Sequence, residues 1–372
     1  MATLPRIAII GGGPGGLMLA RLLQIRGMPA TVFERDPHAA HRPQGGSLDL
    51  HLETGQRALC LGGLEAAFRA HARPEDQGDR LYDPSGALLF DYDGEGFERP
   101  EIDRTDLRAI LLDSLDEGTV RWGAKVTEVR PRINGAHEVV TEDGAAAYDI
   151  VVGADGAWSR VRPLLSGAAP LYEGVVFVEL GFETRTHPFV AELAGSGKMF
   201  AVGDNRALVA QRNGHGHIRG YAGWRAPEAA AQILTRQSPE QVRAAMLEVF
   251  DGWAPRLTDM IRQGTLLAVR LLSALPIGHS WTSRPGLTLL GDAAHLMSPF
   301  AGEGVNLALA DAADLAEALT SGRGWAAVAD AETMIAERSK IAAEGSAGGL
   351  RSVFSPDGAA RVLQHYRQRI AA

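Results

Sequence analysis

Gly11-Gly12-Gly13-Pro14-Gly15-Gly16 is the stretch of sequence that decides the fold of this chain. An apolar run at residues 6–10 precedes it, a helical apolar pattern at residues 14–26 follows, and a second apolar run occupies residues 30–34. Strand, glycine turn, helix and strand form a βαβ unit, the start of a doubly wound parallel sheet. The pattern predicts an α/β fold with a Rossmann-like nucleotide-binding domain.

The spaced glycines meet different physical needs. Gly11 permits the tight turn, Gly13 lets backbone N–H groups approach a pyrophosphate, and Gly16 lets the helix pack closely on the strand. The helix N-terminus adds partial positive charge for phosphates. The residues predicted to surround the pyrophosphate are Gly11, Gly13, Pro14, Gly15 and Gly16.

Glu34 ends the second predicted strand, 18 positions after Gly16. A carboxylate there accepts hydrogen bonds from a ribose hydroxyl and disfavours a 2′-phosphate. The resident dinucleotide is therefore expected to be FAD or NAD rather than NADP. For the glycine pattern taken alone, a Gly-rich turn without a ligand is the alternative.

The nucleotide-binding pattern recurs late in the chain, after a β-rich insertion. A buried strand at residues 148–154 ends in Gly-Ala-Asp-Gly, and another at residues 287–290 precedes a helix at residues 304–319. Short strands between residues 172 and 224 predict an antiparallel sheet, and residues 325–372 are Ala-rich and helical, with a break near 355–358. The cofactor domain is therefore expected to be discontinuous.

We expect three regions. Residues 1–72, 95–170 and 265–318 form the cofactor domain, residues 73–94 and 171–264 form a substrate-binding domain, and residues 319–372 form a C-terminal helical segment.

Composition excludes several classes of protein. The net charge of −8 and the pI near 5.8 argue against binding to nucleic acid or to an anionic membrane. The single cysteine, Cys60, excludes an intrachain disulfide and fits a reducing compartment. We find no signal peptide and no apolar run near the ~20 residues of a membrane span. The expectation is a cytoplasmic monomer that binds a small molecule.

Two further motifs resemble those of class A flavin monooxygenases. The segment Gly153-Ala154-Asp155-Gly156 resembles their Asp-Gly motif, and Leu290-Gly291-Asp292-Ala293 resembles their Gly-Asp motif. The resemblance implies that FAD is the cofactor, that Asp292 hydrogen-bonds a ribityl or ribose hydroxyl, and that Asp155 lies near the pyrophosphate. In isolation, Asp292 also fits a helix N-cap, and Asp155-Gly156 also fits a turn.

The start of the late helix is expected to lie at the flavin ring. Backbone N–H groups of Gly302, Gly304, Val305 and Asn306 could stabilise negative charge at the N1–C2=O edge of reduced flavin. Pro299 and Phe300 fit a wall beside the isoalloxazine, with core packing as the alternative for Phe300. The chemistry is expected to reside in the flavin, without a catalytic side chain of the protein and without a metal.

A closer resemblance is to the Tet(X)-type tetracycline-inactivating monooxygenases. It rests on Phe33-Glu34-Arg35-Asp36, on the segments at residues 45–51 and 101–112, and on Gly291 through Asn306. The resemblance implies that Glu34, Arg35, Arg104 and Asp292 contact FAD, and that Asp49 and Leu50 lie near the ring. For Arg35, surface ion pairing is the alternative.

The substrate side departs from that family. The resemblance places Glu179, Arg206, Arg219, Phe300 and Val353 at substrate-contacting positions. Glu179 and Glu303 each replace a glutamine, and Arg219 replaces a histidine, which puts tetracycline itself in doubt. Pairing of solvent-facing strand charges is the alternative for Arg206 and Arg219.

The function implied is hydroxylation of a polycyclic molecule that carries an enol or phenol, most directly a tetracycline, with inactivation of the antibiotic. NADPH would bind transiently and reduce FAD, and O2 would form a C4a-hydroperoxyflavin whose electrophilic oxygen attacks an electron-rich carbon. One alternative is a hydroxylase of an aromatic polyketide or a phenol. Others are a flavin-dependent reductase without oxygen insertion and a binding protein without turnover.

Overall fold

The computed structural model describes residues 4–41, 45–94, 96–133 and 135–371. Its strands are β1 (Ile7–Ile10), β2 (Ala30–Phe33), β3 (Ser47–Asp49), β4 (Gly78–Tyr82), β5 (Leu88–Tyr92), β6 (Glu101–Asp103), β7 (Val120–Arg121), β8 (Val126–Pro131), β9 (His137–Thr141), β10 (Gly144–Tyr148), β11 (Ile150–Gly153), β12 (Leu171–Glu183), β13 (Gly197–Gly203), β14 (Arg206–Arg212), β15 (His217–Arg225), β16 (Thr265–Ala274) and β17 (Leu287–Leu289).

Twelve α-helices connect and cover these strands in the described part of the chain. They are α1 (Pro14–Ile25), α2 (Arg57–Leu61), α3 (Glu65–His71), α4 (Arg104–Asp113), α5 (Pro188–Ala194), α6 (Glu228–Leu234), α7 (Pro239–Val249), α8 (Pro255–Gln263), α9 (Asp292–His295), α10 (Gly304–Thr320), α11 (Trp325–Val353) and α12 (Gly358–Ala371). None of these helices combines the length and the apolar character needed to cross a bilayer.

A five-stranded parallel sheet with the strand order β17-β11-β1-β2-β7 forms the first unit. All four residues of β1, Ile-Ala-Ile-Ile, are buried, as expected for a strand covered on both faces. Helices α1 and α10 pack against each other over one face of this sheet. The predicted Rossmann-like α/β fold is confirmed.

A seven-stranded mixed sheet with the order β16-β12-β15-β14-β13-β4-β5 forms the second unit. Because side chains alternate along a strand, its two faces carry different residues. Val176, Val178 and Leu180 pack with α5 to α8 on the side that we call the helix face. Val175 and Phe177 pack with α11 and α12 on the opposite side, which we call the cleft face.

One boundary differs from the sequence expectation. β16 pairs with β12, so residues 265–274 belong to the large sheet and not to the cofactor domain. Residues 120–129 form two strands, β7 and β8, which join different sheets and are separated by Gly123 with φ 68°.

Candidate active site

The glycine turn between β1 and α1 has the geometry that its sequence predicts. Gly11 has φ 112°, and a Cβ there would lie 2.3 Å from the Ala154 carbonyl oxygen. A Cβ on Gly16 would lie 2.2 Å from the Gly11 oxygen, so only glycine allows this helix–strand approach. A Cβ on Gly13 would meet nothing within 4 Å. The turn is therefore tight on its protein side and open beside Gly13.

Glu34 closes the other side of this turn. Its carboxylate accepts the N–H groups of Gly12 and Asp36, each at 2.9 Å, and the residue is 6% exposed. These bonds fix the side chain beside the turn, where a ribose hydroxyl would share its remaining lone pairs. Arg35 points to solvent. Contact of Glu34 and Arg35 with FAD stays a prediction.

The early glycine turn and the late Gly-Asp segment converge. β17 lies next to β11, and β11 lies next to β1, so their carboxyl ends meet at one edge of the sheet. A Cβ on Gly15 would lie 2.7 Å from the Leu290 side chain and 3.0 Å from the Ala308 oxygen. Segments almost 280 positions apart therefore line one crevice, the position at which α/β sheets bind ligands.

Two aspartates at this edge have unused acceptors. Asp292 is exposed and accepts no hydrogen bond from the described residues. Asp155 accepts the Arg160 N–H through Oδ2 at 2.6 Å, whereas its buried Oδ1 has no partner in the described part of the chain. Burial raises the pKa of Asp155. Free acceptors next to an open glycine turn fit a ligand rich in hydroxyl groups.

A buried ionic cluster stabilises the Gly-Asp segment. Asp311 of α10 is fully buried and accepts the Gly291 N–H at 2.9 Å and the His295 Nε2–H at 2.6 Å. Arg338 of α11 donates to its other oxygen at 2.8 Å. His295 therefore has a structural role in this cluster.

The N-terminus of α10 is tied to the β3 segment by Asn306. This fully buried side chain accepts the His51 N–H at 2.9 Å and donates to the carbonyl oxygens of Asp49 at 2.9 Å and of Gly302 at 3.2 Å. Gly302 has φ 68°, and nothing lies within 4 Å of a Cβ on Gly304. The predicted ring-binding residues Asp49, Gly302, Gly304 and Asn306 are thus brought together.

Leu50 and Val305 differ from the rest of that group. The Leu50 side chain is 0% exposed and packs in the core of the first unit, so it has no surface with which to contact a flavin. Val305 is partly buried against the same core. Pro299 is exposed at the start of this turn.

An aromatic cluster lines the cleft face of the large sheet. Phe177 lies with its ring centroid 5.7 Å from that of Tyr221, 5.9 Å from Phe300 and 6.0 Å from Phe354. Val353 packs in this cluster at the end of α11. Phe300 therefore packs with the aromatic residues of the cleft face, as the core-packing alternative predicts, and its contact with the isoalloxazine stays a prediction.

Charged groups lie beside this aromatic cluster. Glu179 pairs with Arg270 at 2.8 Å and lies 3.9 Å from Arg219. Among the described residues Arg219 donates no hydrogen bond, although it is only 18% exposed. Its Nη2 approaches Gly45, and the Arg104 Nε and Tyr221 hydroxyl approach Gly46. Glu179, Arg219 and Arg104 are thus gathered at the joint between the two units.

Tyr221 remains a protonated phenol at this joint. Burial and the nearby Glu179 carboxylate raise the pKa of Tyr221, while Arg219, Arg104 and Arg270 act in the opposite direction. The group therefore offers an O–H donor at neutral pH.

Arg206 does not lie at this site. It pairs in register with Trp224, which places its side chain on the helix face. There it donates to the Val249 carbonyl, pairs with Asp204 at 3.0 Å and lies 5.6 Å above the Trp253 ring. The predicted substrate contact of Arg206 is not supported, because the sheet separates it from the cleft face.

Asp103, Asp106 and His215 form the one group of three potential metal ligands in the described residues. Asp103 is already paired with Arg73 at 2.9 Å and accepts the Gly214 N–H. Because Asp103 already has these partners, the arrangement does not indicate a metal site.

Sequence reasoning missed the residues that complete the cleft. Phe177, Tyr221 and Phe354 were not singled out, nor was His51, which lies between Asp49 and Glu303. The two-residue period along β12 and β15 was the available signal for Phe177 and Tyr221, since both alternate with buried apolar residues. No local pattern indicates the partners of His51, which come from separate elements.

Comparison with known proteins agrees with this arrangement. The profile of a family described as FAD binding domain matches residues 5–346. Monooxygenase asqM of Emericella nidulans is 33% identical over 371 residues, which cover 84% of this chain and 83% of the relative. Monooxygenase penA of Penicillium thymicola is 33% identical over 368 residues, which cover 84% of each protein.

Solved structures share the fold. HpxO of Klebsiella pneumoniae, complexed with FAD and uric acid, superposes with a TM-score of 0.79 at 21% identity, covering 98% of this chain and 92% of that one. The tetracycline destructase Tet(51) superposes with a TM-score of 0.74 at 20% identity, covering 100% and 96%. At these identities the likeness concerns the fold alone.

The chain belongs to the FAD binding domain family of class A flavin monooxygenases. It is an FAD-dependent monooxygenase, and NADPH and O2 are the typical co-substrates of this class. The site fits the cofactor, because the open side of Gly13 provides space, and Asp292 and the Asp155 Oδ1, which have no hydrogen-bond partner among the described residues, provide acceptors at one sheet edge. The expected resemblance to tetracycline-inactivating monooxygenases is found only as a likeness of fold to a solved structure, at 20% sequence identity.

Proposed function

We propose that this monooxygenase consumes NADPH and hydroxylates a polycyclic small molecule that carries an ionisable enol or phenol. The observation that carries the proposal is that Arg219 lies beside the aromatic cluster and, among the described residues, has only a 3.9 Å contact with Glu179 as a charge partner. The predicted flavin-binding turn at Gly302 lies on the other side of Phe300.

The aromatic wall supports a planar, apolar substrate. Tyr221 and Phe300 are the partly exposed rings of this cluster, and a fused ring system would pack on them in offset or edge-to-face contact. Phe177 and Phe354 are buried and hold these two rings in place. Gly223 lies against Phe177, where a Cβ would come within 2.2 Å of that ring. The wall has the apolar lining with a few convergent polar groups that is typical of small-molecule sites.

The cationic donors support an ionised oxygen on the substrate. Arg219 has five N–H donors and only a distant carboxylate, Glu179, as its partner. A phenolate or enolate oxygen would take a charge-assisted hydrogen bond from it, and the Tyr221 hydroxyl would add a second donor. Ionisation makes the neighbouring carbon electron-rich, which is the reactivity that an oxygenating flavin requires.

FAD, when bound, supplies hydride acceptance and oxygen activation, and this chain supplies binding and orientation. We assign the pyrophosphate to the N-terminus of α1 beside Gly13, the ribose to Glu34 and the ribityl chain to Asp292. The open backbone at Gly304 would direct the partial positive charge of α10 towards the ring.

A tetracycline is the first substrate to test, because the segments at residues 45–51 and 101–112 resemble those of the tetracycline-inactivating enzymes. A smaller aromatic polyketide or phenol is the second candidate. It is favoured by the absence of Arg206 from the cleft face and by the identity of 33% to two monooxygenases that are not named as destructases.

The test is NADPH-dependent oxygen uptake with each candidate, followed by the mass of the product. A tetracycline that gains one oxygen atom would establish the first substrate, and a hydroxylated phenol or polyketide would establish the second. Substrate reduction without oxygen uptake would overturn the proposal in favour of a reductase, and binding without turnover would overturn it in favour of a binding protein.

A further inference from the structure

His51 lies between two carboxylates at the point where β3 meets the start of α10. Its Nε2 is 3.3 Å from Asp49 Oδ2, and its Nδ1 is 3.4 Å from Glu303 Oε2. The three side chains are only 12%, 22% and 27% exposed in the order His51, Asp49, Glu303. Both ring nitrogens of one imidazole therefore join segments that lie 250 positions apart in sequence.

The backbone around this trio leaves it little freedom. Asn306 donates a hydrogen bond to the Asp49 carbonyl and accepts one from the His51 N–H, so these bonds attach the β3 segment to α10. Gly55 packs against Asn306, where a Cβ would lie 2.4 Å from the amide oxygen. The Asp49 carboxylate also approaches Gly302, with 3.2 Å between Oδ1 and a Cβ placed there.

The surrounding charges favour an imidazolium. Burial acts to lower the pKa of His51, but hydrogen bonds and charge interactions with Asp49 and Glu303 raise it to about 9. Burial likewise acts to raise the pKa of Asp49, but His51, Lys198 of β13 and Arg99 lower it to about 2. At neutral pH both N–H groups of His51 therefore face an ionised carboxylate.

We propose that His51 is a positioning residue that clamps the β3 segment to the N-terminus of α10 and thereby couples FAD affinity to pH. The inference rests on the proposed function, because it assigns the flavin ring to the gap between these two segments. The clamp is an electrostatic contact, and deprotonation of His51 would leave two carboxylates facing a neutral ring.

The direction of the pH dependence follows from the sign of the shift. FAD binds to the clamped form, in which His51 is protonated, so its affinity is constant while His51 stays protonated and falls as the pH rises through the pKa of about 9. FAD should therefore bind tightly at pH 7 and dissociate more readily above pH 9.

The experiment measures the FAD dissociation constant between pH 6.5 and 10 for the full chain and three variants. For His51→Gln we expect roughly tenfold weaker binding at pH 7, because the positive charge is lost from both contacts with the carboxylates, and no step near pH 9. For Glu303→Gln we expect the step to move down by about one pH unit, since one of two carboxylate partners is removed. His365→Gln, an exposed histidine on α12, is the matched control and should behave as wild type.

A second readout does not need the cofactor. The imidazole of His51 in the apoprotein, followed by NMR, should titrate near pH 9 and should titrate lower in Glu303→Gln. If FAD binds but its affinity shows the same pH dependence in wild type and His51→Gln, the clamp is refuted while the proposed function stands. If the wild type fails to bind FAD at every pH although the imidazole titrates as expected, the proposed function fails instead.

Discussion

Single buried side chains of α10 hold the two loops that we assign to the flavin. Asn306 fixes the turn at Gly302 and the β3 segment, and Asp311 fixes Gly291 of the Gly-Asp segment. Both side chains are fully buried with their polar groups engaged. An unbonded polar group in such a place costs about 1–3 kcal/mol, so these residues stabilise one arrangement of each loop.

Replacing Asp292 tests the ribityl assignment. The side chain is exposed at the sheet edge and has no acceptor role within the described residues, so its removal costs the fold little. A lost charge-assisted hydrogen bond of about 1.5–3 kcal/mol predicts FAD binding weaker by roughly 10- to 100-fold in Asp292→Ala. The measurement is the FAD content and dissociation constant, with the melting temperature of the apoprotein as the control.

Arg206 and Arg219 provide a matched pair on opposite faces of one sheet. Arg206→Ala removes a hydrogen bond to Val249 and the contact with Trp253, so we expect a loss of roughly 1–3 kcal/mol in unfolding free energy and an unchanged KM. Arg219→Ala should raise KM about tenfold or more and leave the unfolding free energy near wild type.

Urea unfolding and steady-state kinetics on both variants decide the assignment of faces. A raised KM for Arg206→Ala with unchanged stability would return that residue to the substrate site. An unchanged KM for Arg219→Ala would remove the ionised-oxygen contact from the proposed function.

At the scale of elements, the β1–α1 turn shows why glycines in one motif are not equivalent. Gly16 lies where the helix meets the Gly11 carbonyl, so any side chain collides with backbone. Gly13 has an ordinary backbone conformation and free space, so nothing in the protein itself demands glycine there. We infer that glycine is required at position 13 because a ligand approaches the backbone closely there.

The matched substitutions Gly13→Ala and Gly16→Ala separate these two demands. Gly13→Ala should keep the melting temperature of the apoprotein and weaken FAD binding at least tenfold, because a methyl group occupies the approach to the pyrophosphate. Gly16→Ala should destabilise the apoprotein itself by several kcal/mol through the clash with the Gly11 oxygen. Equal FAD affinity in Gly13→Ala and wild type would refute the position assigned to the pyrophosphate.

Elements with a local signal were predictable from sequence. α1 follows from its glycine turn and from Pro14 at its first position, α7 from the capping box of Ser238 and Gln241, and the gap between α11 and α12 from the Ser-Pro-Asp-Gly stretch. The division of β7 from β8 depends on which sheet each strand joins, and the membership of β16 depends on pairing with β12. Pairing between distant strands leaves no local mark.

At the scale of the whole molecule, the convergence of the flavin motifs was predictable and the substrate side was not. Parallel topology brings the carboxyl ends of β1, β11 and β17 to one edge whatever the details of packing. The face on which Arg206 lies depends instead on the register of β14, where a shift of one residue reverses every side chain. The sequence therefore predicted the convergence of these segments but not the face of the large sheet on which Arg206 lies.

Glu101 lies at the joint of the two units, and we expect it to make the stability of the whole molecule depend on pH. It belongs to the β3–β6 ribbon, accepts the Ser47 hydroxyl at 2.5 Å and reaches Gln211 of the large sheet at 3.1 Å. Burial is the main cause that raises the pKa of Glu101 to about 7; Lys198 opposes the shift and Asp49 adds to it.

For an acid whose pKa is raised on folding, the stabilisation is complete below the unfolded value near 4.3 and is lost as the pH rises through the folded value. The wild type should therefore lose up to about 3 kcal/mol of unfolding free energy between pH 5 and pH 8 that Glu101→Gln does not lose. The measurement is urea unfolding of the FAD-saturated protein at both values, with the exposed Glu98→Gln as the matched control. An equal pH dependence in wild type and Glu101→Gln would mean that this carboxyl titrates alike in both states, and the joint would then be held by its hydrogen bonds without a contribution from proton uptake.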